Sequence, residues 1–379
     1  MLHIITGLES GGAEAVLFRL VVAHKNSGNS HHVVSLMNSG VYAEKLRLNN
    51  VCVDTLEFVR GQITLSGLLK LFFIIRNLKP DVVQTWMYHA DLIGGLISRL
   101  AGVRSLVWGI RHANLEPAHN SRSTLLIARM CGVLSVWIPR KIVFCSLHSQ
   151  KPHLNLGYKK NKFVYIPNGY DLEKYNFDLK SRQQFRSSLK IKDDVFLLGI
   201  VARFDIQKDH QNLIRALGHF KKNGGRFICL LVGIGMDQAN AVLHAWIDEA
   251  GVADDVVLLG PRTDIPAVMN AVDVHVLSSL GEAFPNVLAE AMACGTPCVT
   301  TDVGDAAVIV ANYGWVVARQ DSVALASGIM DAYEYFKIGG LIWEQRKIKC
   351  RLHIVENFEL QKMCDRYHEV WMNCMQEPS

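Results

Sequence analysis

The sequence of 379 residues lacks the features that identify several classes of protein. No apolar run reaches about 18 residues without a charged residue, so a membrane-spanning helix is not expected. The longest candidate, residues 123–139, is interrupted by Arg129. The first residues show no basic segment followed by a cleavage pattern, which argues against secretion. The nine cysteines are scattered and odd in number, as expected of free thiols in a reducing cytoplasm. We therefore expect a cytoplasmic protein.

Several ligand-binding motifs are also missing. Gly233-Ile234-Gly235 lacks the third glycine of a dinucleotide fingerprint, and there is no phosphate-loop lysine motif. Cys294 and Cys298 have no histidines clustered around them, so a zinc site is not expected. The chain contains no Asp-x-Asp, and a metal-clamped nucleotide sugar would therefore have no evident anchor. We expect no bound metal, no cofactor and no nucleic-acid partner.

The composition is that of a globular protein whose charge is unevenly distributed. Half of the residues are hydrophobic and a fifth are charged, and the length favours two domains. The first 180 residues contain 21 Lys and Arg against 11 Asp and Glu, a balance of +10, whereas the remainder has a balance of −5. This asymmetry predicts that the two parts of the chain face different partners.

Short apolar runs rich in β-branched residues alternate with longer amphipathic stretches, which predicts a parallel α/β architecture. The helical periods include residues 13–25 and 64–77. Two doubly wound domains with a ligand cleft between them, at the carboxyl ends of the strands, explain this pattern most simply. The predicted strands are residues 3–6, 32–36, 82–85, 105–109, 141–145, 163–166, 195–201, 227–232, 256–259, 274–277 and 297–300.

Residues 277–295 form the strongest motif, Leu-Ser-Ser-Leu-Gly-Glu-Ala-Phe-Pro-Asn-Val-Leu-Ala-Glu-Ala-Met-Ala-Cys-Gly. The pattern predicts a buried strand, a turn and a helix with Pro285 near its first position and Gly295 as its stop. The N–H groups between Phe284 and Val287 would lie at the helix start, where a phosphate or a sugar oxygen can bind.

Glu282 precedes this helix and Glu290 lies inside it, so two carboxylates can accept hydrogen bonds from hydroxyls of one ligand. The alternative is an ordinary helix with an acid favoured at its N-terminus. That alternative explains Glu282 but not Glu290, whose neighbours in the sequence are apolar.

Arg203 follows a predicted strand and Lys208 follows one loop later, so the two cations can clamp a diphosphate. A pair of solvated surface cations is the alternative. In the first half, Arg111 and His112 end another predicted strand and would face the same cleft. Gly11-Gly12 follows the first strand, where it either brings backbone close to a substrate or forms a tight turn.

Together these segments resemble the retaining family-4 glycosyltransferases of the GT-B fold, over nearly the whole chain. Glu282 to Glu290 is similar to the family's E-x7-E signature, and Arg203 and Lys208 match its diphosphate-binding positions. Three further segments resemble its first-loop, interdomain and base-binding motifs: Gly11-Gly12-Ala13-Glu14, Ile166-Pro167-Asn168-Gly169 with Asp171, and Gly260-Pro261-Arg262-Thr263-Asp264-Ile265-Pro266.

The resemblance implies an acceptor-side domain over residues 1–175, a nucleotide-sugar-binding domain over residues 176–357, and a C-terminal helix over residues 358–379 that crosses back to the first domain. Glu290 would bind the ribose hydroxyls, while Glu282 and the helix amides would bind the donor sugar. The implied catalytic residues are His112, Arg203, Lys208 and Glu282. The implied binding residues are Gly11, Gly12, Asn168, Arg203, Lys208, Arg262, Thr263, Glu282, Ala283, Phe284, Pro285, Asn286, Val287 and Glu290.

The predicted function is metal-independent, retaining transfer of a hexosyl or N-acetylhexosaminyl group from a nucleoside-diphosphate sugar. We prefer a UDP-sugar to GDP-mannose, and a glycan or lipid-linked saccharide of polysaccharide or lipopolysaccharide synthesis as acceptor. A nucleotide-sugar epimerase, which needs no acceptor, and a catalytically idle sugar-nucleotide-binding protein remain alternatives.

Residues 123–139 also predict where the protein works. They place apolar residues at helical spacing beside Arg122, Arg129, Arg140 and Lys141. Such a helix can lie in the headgroup layer of an anionic membrane, which would put the enzyme at the inner face of the cytoplasmic membrane. An ordinary buried helix with surface cations is the alternative.

Overall fold

The computed structural model describes residues 1–9, 11–26, 28–59, 62–112, 115 and 121–376. The chain divides into two compact units. Unit 1 comprises residues 1–169 and 360–379, and unit 2 comprises residues 170–359. No helix among the described residues is both long enough and apolar enough to cross a membrane.

The strands and helices alternate along almost the whole chain. The strands are β1 (Leu2–Ile5), β2 (His32–Ser35), β3 (Cys52–Thr55), β4 (Val83–Trp86), β5 (Leu106–Ile110), β6 (Lys141–Phe144), β7 (Phe163–Tyr165), β8 (Leu197–Val201), β9 (Ile228–Val232), β10 (Val256–Gly260), β11 (Val274–Leu277), β12 (Cys298–Thr301) and β13 (Trp315–Val317). The helices are α1 (Gly12–Asn26), α2 (Val41–Leu48), α3 (Leu65–Leu78), α4 (Tyr88–Leu100), α5 (Arg122–Leu134), α6 (Gln150–Asn155), α7 (Leu179–Ser188), α8 (His210–Lys222), α9 (Ala241–Ala250), α10 (Ile265–Ala271), α11 (Asn286–Ala293), α12 (Ala306–Val310), α13 (Ser322–Ile338), α14 (Gly340–Phe358) and α15 (Leu360–Gln376).

Unit 1 is built on a seven-stranded sheet in the order β3-β2-β1-β4-β5-β6-β7, and its paired strands are parallel. The central strand β1 is buried along its whole length, as a sheet covered on both faces requires. One face packs against α3, α4 and α5, and the other against α1, α2 and α15. The last helix of the chain therefore completes the core of the first unit.

Unit 2 repeats this arrangement with six parallel strands in the order β10-β9-β8-β11-β12-β13. One face of its sheet packs against α8, α9 and α13, and the other against α7 and α10. The prediction of two doubly wound α/β domains is confirmed. In such sheets ligands bind at the carboxyl ends of the strands, where the strand order reverses.

All eleven predicted strands are present, with ends that differ by at most two residues from the prediction. The predicted helices over residues 13–25 and 64–77 correspond to α1 and α3. Thr64 is the N-cap of α3, and its hydroxyl accepts a hydrogen bond from the Gly67 amide at 3.2 Å. The sequence analysis did not predict β3 and β13, which are edge strands of the two sheets.

Candidate functional site

In unit 2, the turn between β11 and α11 has the geometry that its sequence predicts. Pro285 is the N-cap residue of α11, and Gly295 follows its last turn with a φ of +79°. The amides of Gly295 and Thr296 close the helix on the carbonyls of Met292 and Ala291. Because proline has no N–H, the donors at the helix start are fewer than the motif suggests: within residues 284–287, Pro285 contributes none.

The structure brings Lys208 and Glu282 together. The Lys208 ammonium donates to the Glu282 carboxylate at 2.5 Å, and the Ser279 hydroxyl donates to the same oxygen at 2.9 Å. Both side chains of the ion pair are largely buried, with 23% and 17% of their surface exposed. A lysine ammonium has three N–H donors, so one hydrogen bond to Glu282 leaves capacity for a phosphate oxygen.

Three residues that the sequence analysis did not select support this turn. The Asp305 amide donates to the Ala283 carbonyl at 3.0 Å, and Gly304 packs against the Glu282 and Ala283 carbonyls so closely that a Cβ would collide with them. The Tyr170 hydroxyl donates to the Asn286 side-chain carbonyl at 2.6 Å. Gly304 has a φ of +51°, and a glycine at this position could have indicated a tight turn. Nothing in the sequence indicated the roles of Asp305 and Tyr170.

Packing also holds Phe284, another residue of the motif. Phe284 is buried, and its ring meets the ring of Phe358 edge-on at 5.6 Å. Glu290 is half-buried on α11, and Ala283 and Val287 are half-buried as well.

Arg203 lies in the loop after β8, and its guanidinium donates to the Asp205 carboxylate at 3.0 Å. Burial acts to raise the pKa of Asp205, but the Gln207 amide and Arg203 outweigh it, so that the pKa of this carboxyl is lowered. The same loop is anchored to the β11–α11 turn, because Ser278 donates to the Lys208 carbonyl at 2.7 Å. Both predicted cations thus lie in one loop, each beside a carboxylate.

The predicted base-binding segment lies after β10. Arg262 donates two hydrogen bonds to the Asp264 carboxylate, at 2.8 and 2.6 Å, and its guanidinium lies over the Phe185 ring. The hydrogen bonds from Arg262 hold the pKa of Asp264 below its ordinary value. Thr263 is exposed between the two.

In unit 1, His112 and Arg111 have different environments. The His112 ring meets the Tyr88 ring edge-on, with 6.2 Å between centroids. Arg111 donates to Asn168 and Tyr367, both at 2.7 Å. Its guanidinium also lies 4.5 Å from the centre of the Trp86 ring. The Arg111 side chain therefore joins α15 to the sheet.

Asn168 is buried and accepts the hydrogen bond from Arg111. Residues 113 and 114, which complete the His112 segment in the sequence, lie outside the described part of the chain, as do residue 10 before Gly11-Gly12 and residues 377–379 of the predicted C-terminal segment.

The glycine pair after β1 leads into α1. Gly12 is the first residue of the helix, and Gly11 contacts the carboxyl group of Glu14 so closely that a Cβ would collide with it. Burial raises the pKa of Glu14. In the part of the chain that the structure describes, no group of three or more His, Cys, Asp or Glu residues is placed to hold a metal ion.

Two family profiles match the chain. The profile described as Glycosyltransferase Family 4 matches residues 10–174, and the profile described as Glycosyl transferases group 1 matches residues 181–335. Together they span most of both units.

Curated relatives and solved structures agree with these matches. The UDP-Gal:alpha-D-GlcNAc-diphosphoundecaprenol alpha-1,3-galactosyltransferase of Escherichia coli is 23% identical over 82% of this chain and 79% of its own length. The N,N'-diacetylbacillosaminyl-diphospho-undecaprenol alpha-1,3-N-acetylgalactosaminyltransferase of Campylobacter jejuni is 25% identical over 78% of this chain and 79% of its own length. The crystal structure of HepE from Anabaena in complex with UDP superposes with a TM-score of 0.85, at 23% identity over 98% of this chain and 99% of that chain, which shows a shared fold. The chain belongs to the family-4 glycosyltransferases, a family of retaining hexosyltransferases with the GT-B fold.

Proposed function

We propose that the protein transfers a hexosyl or N-acetylhexosaminyl group from a UDP-sugar to a lipid-linked saccharide during polysaccharide synthesis. The observation that carries this proposal is the contact between Lys208 and Glu282. It joins a cation suited to a diphosphate to a carboxylate suited to sugar hydroxyls, at the start of a helix that offers N–H groups.

UDP as the carrier is supported by relatives. The name of the Escherichia coli relative specifies UDP-Gal, and HepE was crystallised with UDP-glucose as well as with UDP. In this chain we assign the ribose hydroxyls to Glu290 and the donor sugar to Glu282 and the amides of Phe284, Asn286 and Val287. We assign the base to the Arg262 and Thr263 segment.

The chemistry follows from the leaving group. When the bond between the sugar and the β-phosphate breaks, negative charge builds on the phosphate, and fixed cations such as Arg203 and Lys208 stabilise it. We propose that the acceptor hydroxyl attacks the same face of the sugar and that its proton passes to the departing phosphate, which yields retention. His112, Asn168 and the Gly11-Gly12 loop are the groups that unit 1 would contribute to substrate binding.

A lipid-linked acceptor is supported by the two relatives named above, whose names both specify a diphosphoundecaprenol acceptor. Such an acceptor cannot leave the bilayer, so the enzyme would act at the inner face of the cytoplasmic membrane.

Helix α5 and the turn after it support this location, because large apolar side chains are exposed on them. The helix packs against the unit through the buried Ala128, Cys131 and Gly132 and the partly buried Ile127 and Leu134. On the outer side of the helix, Leu126, Met130 and Val133 are exposed beside the exposed Arg122 and Arg129. Trp137, in the turn after the helix, is 68% exposed. An exposed apolar face flanked by arginines suits an anionic membrane surface.

An assay of UDP release tests the proposed function. Purified protein is incubated with UDP-galactose, UDP-N-acetylgalactosamine or UDP-glucose, with and without diphosphoundecaprenol-linked saccharides. We expect UDP release that depends on the acceptor and survives EDTA. Conversion of the UDP-sugar without any acceptor would indicate the epimerase alternative. Binding without turnover against the whole acceptor panel would indicate an idle protein.

A further inference from the structure

His210, the first residue of α8, is fixed beneath the loop that carries both cations. It is 2% exposed, and its Nε2 lies 2.9 Å from the backbone carbonyl oxygen of Arg203. Its ring also stacks on Phe204, with 5.6 Å between centroids and 9° between the planes. One side chain therefore holds two consecutive residues of this loop.

The hydrogen bond determines the protonation of the ring. A carbonyl oxygen only accepts, so Nε2 carries the proton and donates. Burial lowers the pKa of His210 to about 4, and the ring is therefore neutral at pH 7. Arg203 and Lys208 lie nearby, and a neutral donor adds no third positive charge to the loop.

The other side of the loop is packed against a glycine pair. The Ala202 amide donates to Val232 and the Phe204 amide to Ile234, at 2.9 and 2.7 Å. A Cβ on Gly233 would collide with the Ala202 carbonyl, and one on Gly235 would lie 2.8 Å from the Phe204 side chain. The Gly-x-Gly segment that failed as a dinucleotide motif thus allows the loop to be held closely on this side.

We infer that His210 is a positioning residue for the diphosphate: it fixes the Arg203 backbone, and with it the direction from which the guanidinium reaches a phosphate. This inference rests on the proposed function, in which Arg203 and Lys208 bind the diphosphate of the donor. The Arg203 side chain is 59% exposed, so two contacts constrain where its charge lies: the backbone anchor on His210 and the Asp205 carboxylate, to which the guanidinium donates.

Isothermal titration with UDP and UMP tests the inference, since only UDP has the β-phosphate. His210→Phe keeps an aromatic ring against Phe204 and removes the donor. We expect this variant to bind UDP about tenfold more weakly, equivalent to about 1.4 kcal/mol, and to bind UMP less than twofold more weakly. His210→Gln, whose amide nitrogen reaches the position of Nε2, should restore UDP affinity to within threefold of the parent, whereas the shorter His210→Asn should not.

His219→Gln, on the same helix, is the matched control and should leave both affinities unchanged. Equal losses for UDP and UMP, or a loss in His210→Gln as large as in His210→Asn, would overturn the positioning role. The Gln and Asn pair decides the question if the Phe variant does not fold. If the parent protein binds neither UDP nor UMP, the proposed function fails instead, before any variant is compared.

Discussion

The two units share one topology and differ in the chemistry at equivalent positions. In both sheets the strand order reverses beside the first strand, between β1 and β4 in unit 1 and between β8 and β11 in unit 2. In unit 2 the loops after these strands carry Arg203, Lys208 and Glu282. In unit 1 the glycine pair Gly11-Gly12 follows β1, and α4 begins with the aromatic Tyr88 directly after β4 and Met87. The topology therefore fixes where a ligand can bind, and the loop residues decide which ligand it is.

The two units also differ in how a late helix is attached to the sheet, α13 in unit 2 and α15 in unit 1. In unit 2, α13 packs on the sheet through apolar side chains such as Leu325 and Ile329. In unit 1, α15 does so through Tyr367 and Trp371, but it is also joined to the unit by a hydrogen-bonded chain of histidines. His3 contacts His31 at 2.9 Å, His31 contacts His24 at 2.9 Å, and His24 contacts His368 of α15 at 3.0 Å.

Trp86 fixes the direction of this histidine chain. Its indole N–H can only donate, and it donates to Nδ1 of His3 at 3.3 Å. Nε2 of His3 must then carry the proton and donate to Nδ1 of His31. In the same way, Nε2 of His31 donates to Nδ1 of His24, and Nε2 of His24 donates to Nδ1 of His368. A second proton on any of these rings would place two N–H groups face to face, so the chain requires neutral histidines.

Acidification should therefore loosen α15. The pKa of His24 is lowered to about 4 and that of His31 to about 3. Burial is the largest cause, and a neighbouring histidine and the N-terminal ammonium add to it. The unfolded histidines bind protons below about pH 6.5, so stability falls as pH decreases from 6.5 toward 4. Between pH 7.5 and 5 this loss is about 2 kcal/mol for each histidine. Hydrogen exchange of α15 peptides, corrected for the intrinsic effect of pH, measures it.

The control is the His31→Phe variant and not a helix of unit 2, because unit 2 has its own buried histidines, His210 and His275, whose pKa values burial lowers to about 4 and about 3. His31→Phe interrupts the chain, so α15 of this variant should already exchange faster at pH 7.5 and should respond less to acid. Equal acceleration of α15 by acid in the parent and in His31→Phe would show that the histidine chain does not carry the response.

The charged loop of unit 2 predicts a loss of activity instead. Lys208→Ala should lower kcat/KM about 30- to 150-fold, because one charge-assisted phosphate contact is removed from a fixed site. This factor corresponds to a loss of about 2–3 kcal/mol of transition-state stabilisation. Lys222→Ala, an exposed change on α8 of the same unit, is the control. Transfer rates within twofold of the parent for Lys208→Ala would mean that the diphosphate binds elsewhere.

The sequence was sufficient to predict the central strands, because strands buried on both faces are continuous apolar runs. It did not predict two of the four edge strands, β3 and β13, whose side chains are half-exposed or exposed. The candidate residues Arg203, Lys208, Glu282 and Glu290 could be selected because they lie within two short motifs.

Interactions between residues distant in sequence were not predictable in this way. The histidine chain joins residues 3, 24, 31 and 368, and nothing in the local pattern of any of them indicates the others. The hydrogen bond from Arg111 to Tyr367 was not predictable for the same reason, since the two residues are 256 positions apart in the sequence. Tertiary packing determines both, and single-sequence patterns do not contain it.

Glu282 and Glu290 should have separable effects on the donor. Glu290→Gln should make the binding free energy of UDP itself less favourable by about 1.5 kcal/mol, because the proposed contact is a charge-assisted hydrogen bond to ribose. Glu282→Gln should leave UDP affinity within about threefold and lower turnover of the whole UDP-sugar. Calorimetry with UDP and steady-state rates with UDP-sugar measure the two effects, and equal losses of UDP affinity in both variants would contradict this division.

The smallest expected effect concerns the outer face of unit 1. Arg129 is exposed on α5 beside Met130 and Val133, on the part of the chain whose charge balance is +10 over 180 residues. A basic residue near an anionic membrane contributes about 1 kcal/mol, and salt screens it. Arg129→Gln should therefore lower the affinity for anionic vesicles, measured by co-sedimentation at low salt, about fivefold. The parent should bind neutral vesicles weakly and leave anionic ones at high salt.

Arg215→Gln is the matched control, because this arginine is also exposed but lies on α8 of unit 2. If both variants weaken binding equally, the attraction comes from net charge alone and not from the face of α5. If the parent does not distinguish anionic from neutral vesicles at low salt, the membrane proposal fails, while the glycosyltransferase assignment stands. A loss specific to Arg129 would extend the contrast between the units from their loops to their surfaces, with unit 2 binding the nucleotide and unit 1 binding the membrane that holds the acceptor.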